Sequence, residues 1–224
     1  MGRGTTPFLS TIDDVPTPLA PVDLNDPTVG SPRLNHYLKP SEIPEFLESS
    51  RNLLQPEKDE HDPYATEETA TDAFDVRHEH AVEAIRRIVA LGTGSNADKT
   101  QANIQLCIET FGRHNTDKTL PIDPGDVVRE GLTNKTPRAG PDTGSSEVQA
   151  AVLTAKIRAM QQMMESMGAV NKDKHNKRNL RLLVHKRQKI LRYLKKKEKG
   201  GIRYRNVVEA LGLDEDAIQK ELFL

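Results

Sequence analysis

Cationic side chains recur along one helical face near the C-terminus. Arg181, His185, Lys189, Arg192 and Lys196 stand three or four residues apart, with Lys186, Arg187, Lys195 and Lys197 flanking them. Like charges at these spacings repel and weaken an isolated helix, so the run suits a polyanion that gathers them. The ordinary reading of such a run is a solvated helix face. Two features set this one apart: the run from Leu180 to Lys199 has almost no acids, Glu198 being the exception, and a single aromatic, Tyr193, sits among the lysines. A phosphate backbone with an unpaired base beside it fits both. A second candidate is the turn Asp142-Thr143-Gly144-Ser145. Its glycine either holds a positive φ or lets the backbone come close to a ligand, which a side chain would obstruct.

Two helices must position these groups. Ser146-Glu147-Val148-Gln149 fits a capping box, in which Ser146 caps the helix and Gln149 reaches back to it. Beyond the cap, Val148, Val152, Ala155 and Ala159 form one stripe and Leu153, Ile157, Met160, Met164 and Met167 another. A polar turn is expected from Gly168 to Asn179, then a basic helix from Leu180 to Lys199 with Leu180, Val184, Leu191 and Leu194 as its seam and Arg187 interrupting it. Complementary seams joined by a polar connection predict an antiparallel helical hairpin in an all-α protein.

DTGSSEVQAAVLTAKI, NKDKHNKRNLRLLVHKRQKILRYLKKK and RYRNVVEALGL together resemble small-subunit ribosomal protein fifteen of bacterial and organellar type, and IQLCIETFGR resembles that family's first helix. The resemblance implies a four-helix core that binds small-subunit rRNA, acts early in subunit assembly and lies near the large-subunit interface. It implies that Thr143, Gly144 and Lys156 meet a three-way rRNA junction, with Gln149 either capping or reaching RNA. Asp173 and His175 match the family's groove-reading turn, and Asn176 stands where serine is usual but can still donate to a minor-groove acceptor. Met163 replaces a family histidine and cannot do so, and the turn is longer. Tyr193 either packs at the hairpin edge or meets an unpaired nucleotide among Lys189, Lys196 and Lys197.

Other chemistries lack their residues. Gly92-x-Gly94 has no third glycine and no P-loop lysine, so no nucleotide or small-molecule substrate is expected. No nucleophile–base set stands out, and His78 and His80 point to different helix faces, so neither an enzyme nor a metal or cofactor is expected. Cys107 lies in an apolar helical stretch and reads as core. No run of eighteen apolar residues is present, so no membrane span is expected. The rival reading is a basic amphipathic helix that binds calmodulin or an acidic membrane surface; it requires Leu180–Lys199 to act without its partner helix.

The net charge of −1 conceals a division: residues 1–130 carry 12 Lys and Arg against 23 Asp and Glu (−11), and residues 131–224 carry 20 against 10 (+10). With hydrophobic residues at 35%, aromatics at 4% and no Trp, part of the chain is expected to be extended or to depend on a partner for order. Residues 1–65 read as an extended Pro-rich arm with one short helix near Glu42–Leu54, and 66–95 as an additional helix and linker. That helix runs from about Thr66 to Leu91 with Thr71 or Asp72 as cap and Gly92 as stop. Residues 96–224 read as the rRNA-binding core, with a helix from Asp98 to Phe111 ended by Gly112 and an inserted loop at 114–141. The acidic arm resembles what organellar ribosomal proteins add, which favours the mitochondrion over the chloroplast or a bacterial cytoplasm. Its charge suits neighbouring small-subunit proteins better than rRNA, so removal of residues 1–95 is expected to spare RNA affinity.

Overall fold

The computed structural model describes residues 6–13, 34–39, 41–54, 67–121, 138–168, 173–198 and 201–220, for 67–73 the backbone only. Every regular element among them is helical. The chain divides into two compact units, Val15–Ala102 and a larger one that joins Met1–Asp14 to Asn103–Leu224.

In the smaller unit, α2 (Glu42–Leu54) coincides with the helix expected there, and α3 runs from Glu67 to Val89. Thr71 and Asp72 therefore lie inside α3 and do not cap it, and Ile88 is exposed. Leu34, Ile43 and Val89 form a small core, joined by Leu47 and Ile85. A 3-10 turn at Leu91–Thr93 leads to α4 (Asn96–Phe111). At its start the Asp98 carboxylate accepts from the Ser95 amide at 2.9 Å, and Ser95 Oγ accepts from the Asp98 amide at 3.3 Å. Two otherwise unpaired helix-start donors are satisfied reciprocally.

The larger unit is built on the hairpin. Helix α6 (Ser146–Ser166) and helix α7 (Lys174–Lys197) pack along their length, and α8 (Ile202–Ala210) and α9 (Glu215–Gln219) close one end. Buried Ala150, Ala151 and Ala155 let the facing helices approach closely around Leu191 and Leu194. Further along, Ile157, Met164, Leu180 and Val184 form a second cluster. Each fully buried aliphatic side chain of this size contributes roughly 1.5–3 kcal/mol. Cys107 and Phe111 bring the end of α4 into the first cluster, as do Tyr204, Val207, Leu211 and Ile218 from the C-terminal helices. Gln188, buried in α7, donates from Nε2 to the Ala217 and Lys220 carbonyls at 3.0 Å each, fastening the end of α9.

Four expectations change. Helix α7 begins at Lys174, inside the expected polar turn, because Asp173 caps it: its Oδ1 accepts from the Asn176 amide at 3.0 Å. It ends at Lys197, not Lys199. The expected 114–141 loop opens with a helix, α5 (Arg113–Thr119), while residues 122–137 lie outside those described. Gly112 separates α4 from α5 at φ −62°, so it serves space and not a left-handed turn: a Cβ there would stand 2.4 Å from the Ile108 carbonyl oxygen.

The fourth lies within the stretch read as an extended arm. Residues Pro7–Asp13 form helix α1 in the larger unit, with Leu9 and Ile12 buried. Phe8 meets Phe111 edge to face with ring centroids 4.9 Å apart, Thr6 Oγ1 donates to the Ala210 carbonyl at 2.6 Å, and Asp13 pairs with Arg158 of α6. Residues 7–13 thus belong to the core, and removing 1–95 would take a piece of it.

Candidate nucleic-acid interface

The Asp142–Ser145 turn is held by its own first residue. Asp142 Oδ1 accepts from the Gly144 and Ser145 amides at 3.1 and 3.2 Å, and Oδ2 accepts from the Arg113 amide at 3.3 Å. Burial raises the Asp142 pKa, but the amides of Gly144, Arg113 and Ser145 outweigh it and hold the carboxyl below the usual range. From the other side the Asp142 amide donates to His114 Nδ1 at 3.2 Å. Behind the turn the Glu147 carboxylate, 3% exposed as a residue, lies between Arg113 Nη2 at 3.4 Å and Arg203 Nη1 at 3.8 Å. Arg203 also pairs with Asp117 of α5. Sequence reasoning passed over these groups; the available signal was Glu147, an acid on a face otherwise apolar.

The helix cap is Ser145, not Ser146. Its side chain accepts from the Val148 amide at 3.4 Å, and no reciprocal box forms, because Gln149 Nε2 donates to the Gly144 carbonyl at 2.7 Å. Gln149 thus braces the turn from the solvent side, and Thr143 and Gly144 are exposed. Gly144 is not among the glycines at positive φ, and no atom lies within 4 Å of where its Cβ would be. The positive-φ reading of this glycine is overturned. The fold itself leaves room for a side chain.

The antiparallel register follows from Arg187 Nη1, which donates to Thr154 Oγ1 at 3.3 Å. Counting away from that bond, Gln149 stands level with Arg192 and Tyr193, and Lys156 level with His185. Thr143, Gly144, Gln149, Lys189, Tyr193 and Lys196 therefore share one end of the hairpin. Asp173, His175 and Asn176 lie at the other, about 25 Å away at 1.5 Å per residue. Lys189 and Lys196 are exposed, Tyr193 is 56% exposed, and Lys197 Nζ stands 5.9 Å from the Tyr193 ring centroid. Tyr193 is not a core residue. Arg187 differs from its neighbours: it turns inward to α6, and burial pushes its guanidinium pKa down to about 10.

At the far end Asp173 and Asn176 are engaged with each other, Asp173 Oδ2 accepting from Asn176 Nδ2 at 2.6 Å. His175 and Lys156 are exposed, and residues 169–172 of the turn lie outside those described. Among the described residues no group of three metal-ligating side chains gathers, and no helix is long and apolar enough to cross a membrane.

The fold and this surface define the class: an all-α protein whose helical hairpin carries a cationic face on α7. Comparison with known proteins refines it. The family profile described as ribosomal protein S15 matches residues 129–214. The small ribosomal subunit protein uS15m of Neurospora crassa is 42% identical over 225 residues, spanning 93% of this chain and 70% of its own. The small ribosomal subunit protein uS15 of Halorhodospira halophila is 43% identical over 76 residues, 34% of this chain and 80% of its own. The chain belongs to the S15 family of small-ribosomal-subunit proteins, in its mitochondrial branch, and is a structural component, not an enzyme. The bacterial likeness covers a third of the chain and the fungal one nearly all, so the likeness to the fungal relative extends over most of the N-terminal half.

Proposed function

We propose that this protein binds a three-way junction of mitochondrial small-subunit rRNA and thereby supports subunit assembly and translation. The observation that carries the reading is a convergence at one end of the hairpin. An exposed glycine turn with open space at its Cβ position lies at the same end as an exposed tyrosine with Lys197 beside its ring. Thr143, Gly144 and Gln149 would offer backbone and short polar groups to the junction, Lys156, Lys189 and Lys196 would neutralise phosphates, and Tyr193 would stack on an unpaired base. Arg187 would act from the seam, by setting the height of α7 against α6. Asp173, His175 and Asn176 would form a second contact in the shallow groove of an rRNA helix. Asp173 and Asn176 would do so with capping duties already assigned.

The acidic arm faces neighbouring small-subunit proteins in this reading, and the large subunit is a further contact across the interface. The rival, a free basic helix on calmodulin or an acidic membrane, loses support from burial. Leu180, Val184, Leu191 and Leu194 are the apolar face it needs, and all four are covered in the hairpin. The test is the affinity of the full chain for a three-way-junction RNA against a plain duplex across a salt series. A junction preference of at least tenfold is expected; equal affinity would remove the proposal.

A further inference from the structure

The smaller unit presents apolar side chains to solvent on an acidic background. In α2 the inward positions are Ile43 and Leu47, which pack on Leu34, Val89 and Ile85. The adjoining side carries Phe46, 59% exposed, and Leu53, 85% exposed, seven residues apart and so on one face. Arg51 is drawn aside to Asp75 of α3 at 2.9 Å. What borders Phe46 is acidic: Glu42, one turn earlier on the same face, and Glu45 beside it are both exposed, and residues 15–102 carry 16 Asp and Glu against 8 Lys and Arg, a net charge of −8. A helix meant only for water has no use for an exposed Phe and Leu at this spacing, and a helix meant for RNA would not surround them with carboxylates.

We infer that the Phe46/Leu53 face of α2 docks a protein surface of the small subunit that presents an apolar pocket rimmed by lysine and arginine. The inference rests on the ribosomal reading above and names the surface and partner chemistry of the N-terminal half. The aromatic supplies the anchor and the glutamates the complementary rim, while rRNA is repelled by the same charges that favour a basic protein.

A benzophenone photo-crosslinker in place of Phe46, in the full chain within isolated mitochondrial small subunits, tests it. A second crosslinker in place of Lys196 reports the rRNA contact in parallel. The expected result is an adduct at position 46 to a Lys/Arg-rich segment of another ribosomal protein. Its yield should fall at least tenfold in E42K/E45K while the adduct at 196 persists. An adduct at 46 to rRNA, to this same polypeptide or a second copy of it, or to an acidic segment overturns the inference. So does no adduct at 46, or a yield unmoved by the charge reversal, when position 196 reaches rRNA. Absence of the chain from the subunit overturns this inference together with the ribosomal reading, whereas failure at position 46 alone leaves that reading standing.

Discussion

Arg113, the first residue of α5, extends Nη2 to 3.4 Å from the buried carboxylate of Glu147 in the opening turn of α6. Its amide meanwhile donates to Asp142. One residue therefore ties the candidate RNA-facing turn to the helix behind it, through the backbone on one side and the guanidinium on the other. Glu147→Gln keeps the shape and removes the charge shared by Arg113 and Arg203. Breaking a buried pair from one side costs about 3 kcal/mol or more, because the partner cations stay desolvated. Thermal denaturation should show a fall of roughly 6–12 °C for a chain of this size. A fall under 2 °C would mean that solvent already satisfies both arginines.

Asp142 gives a pH dependence with a defined sign. Its folded pKa is depressed below the ordinary 3.8, so it contributes stability above that value and loses it only as pH falls through the lower folded value. Melting temperature between pH 7 and 2 should therefore hold above pH 4 and carry an acid-side drop that Asp142→Asn reduces. If the variant reproduces the full drop, the carboxylate is not the group responsible.

Helix α1 makes a prediction opposite to the one its sequence suggested. Ile12→Ala opens space in the main cluster and should cost about 2–4 kcal/mol, as buried large-to-small changes do. Residues 1–14 should be required for full stability in chemical denaturation, whereas deleting 15–95 should leave junction affinity within about twofold. A stable, junction-binding chain lacking residues 1–14 would count against α1 as part of the core.

That reversal marks what was legible in the sequence. The hairpin could be read because its seams repeat over several turns, Leu180 through Leu194 among them, and periodicity of that length has few other meanings. PFLSTID spans two turns, too few for a period, and such a short helix is held by tertiary contacts with Phe111 and Arg158. The start of α7 was hidden because NKDKHNK is polar throughout and only the Asp173 cap marks it. The cationic face was visible as composition, but the inward turn of Arg187 depends on Thr154, thirty-three positions away. The brace behind Gly144 joins residues from α5, α6 and α8, and no local pattern records it.

The two kinds of RNA contact should separate in one experiment. Lys196→Ala removes a point charge and should weaken junction and duplex alike, lowering the salt slope by about one unit or less. Tyr193→Ala should cost roughly 1–3 kcal/mol on the junction alone if the ring stacks on a base. Because that ring is 56% exposed, the melting temperature of the free protein should stay within about 2 °C. Gly144→Val tests close approach most directly. The fold offers an added side chain open space and an ordinary φ, so stability should be unchanged and any loss must come from the ligand. Affinity for a three-way-junction RNA and for a duplex, measured beside thermal stability for each variant, decides the matter. A Gly144→Val chain that folds normally and keeps its preference for the junction would show that this turn does not touch RNA.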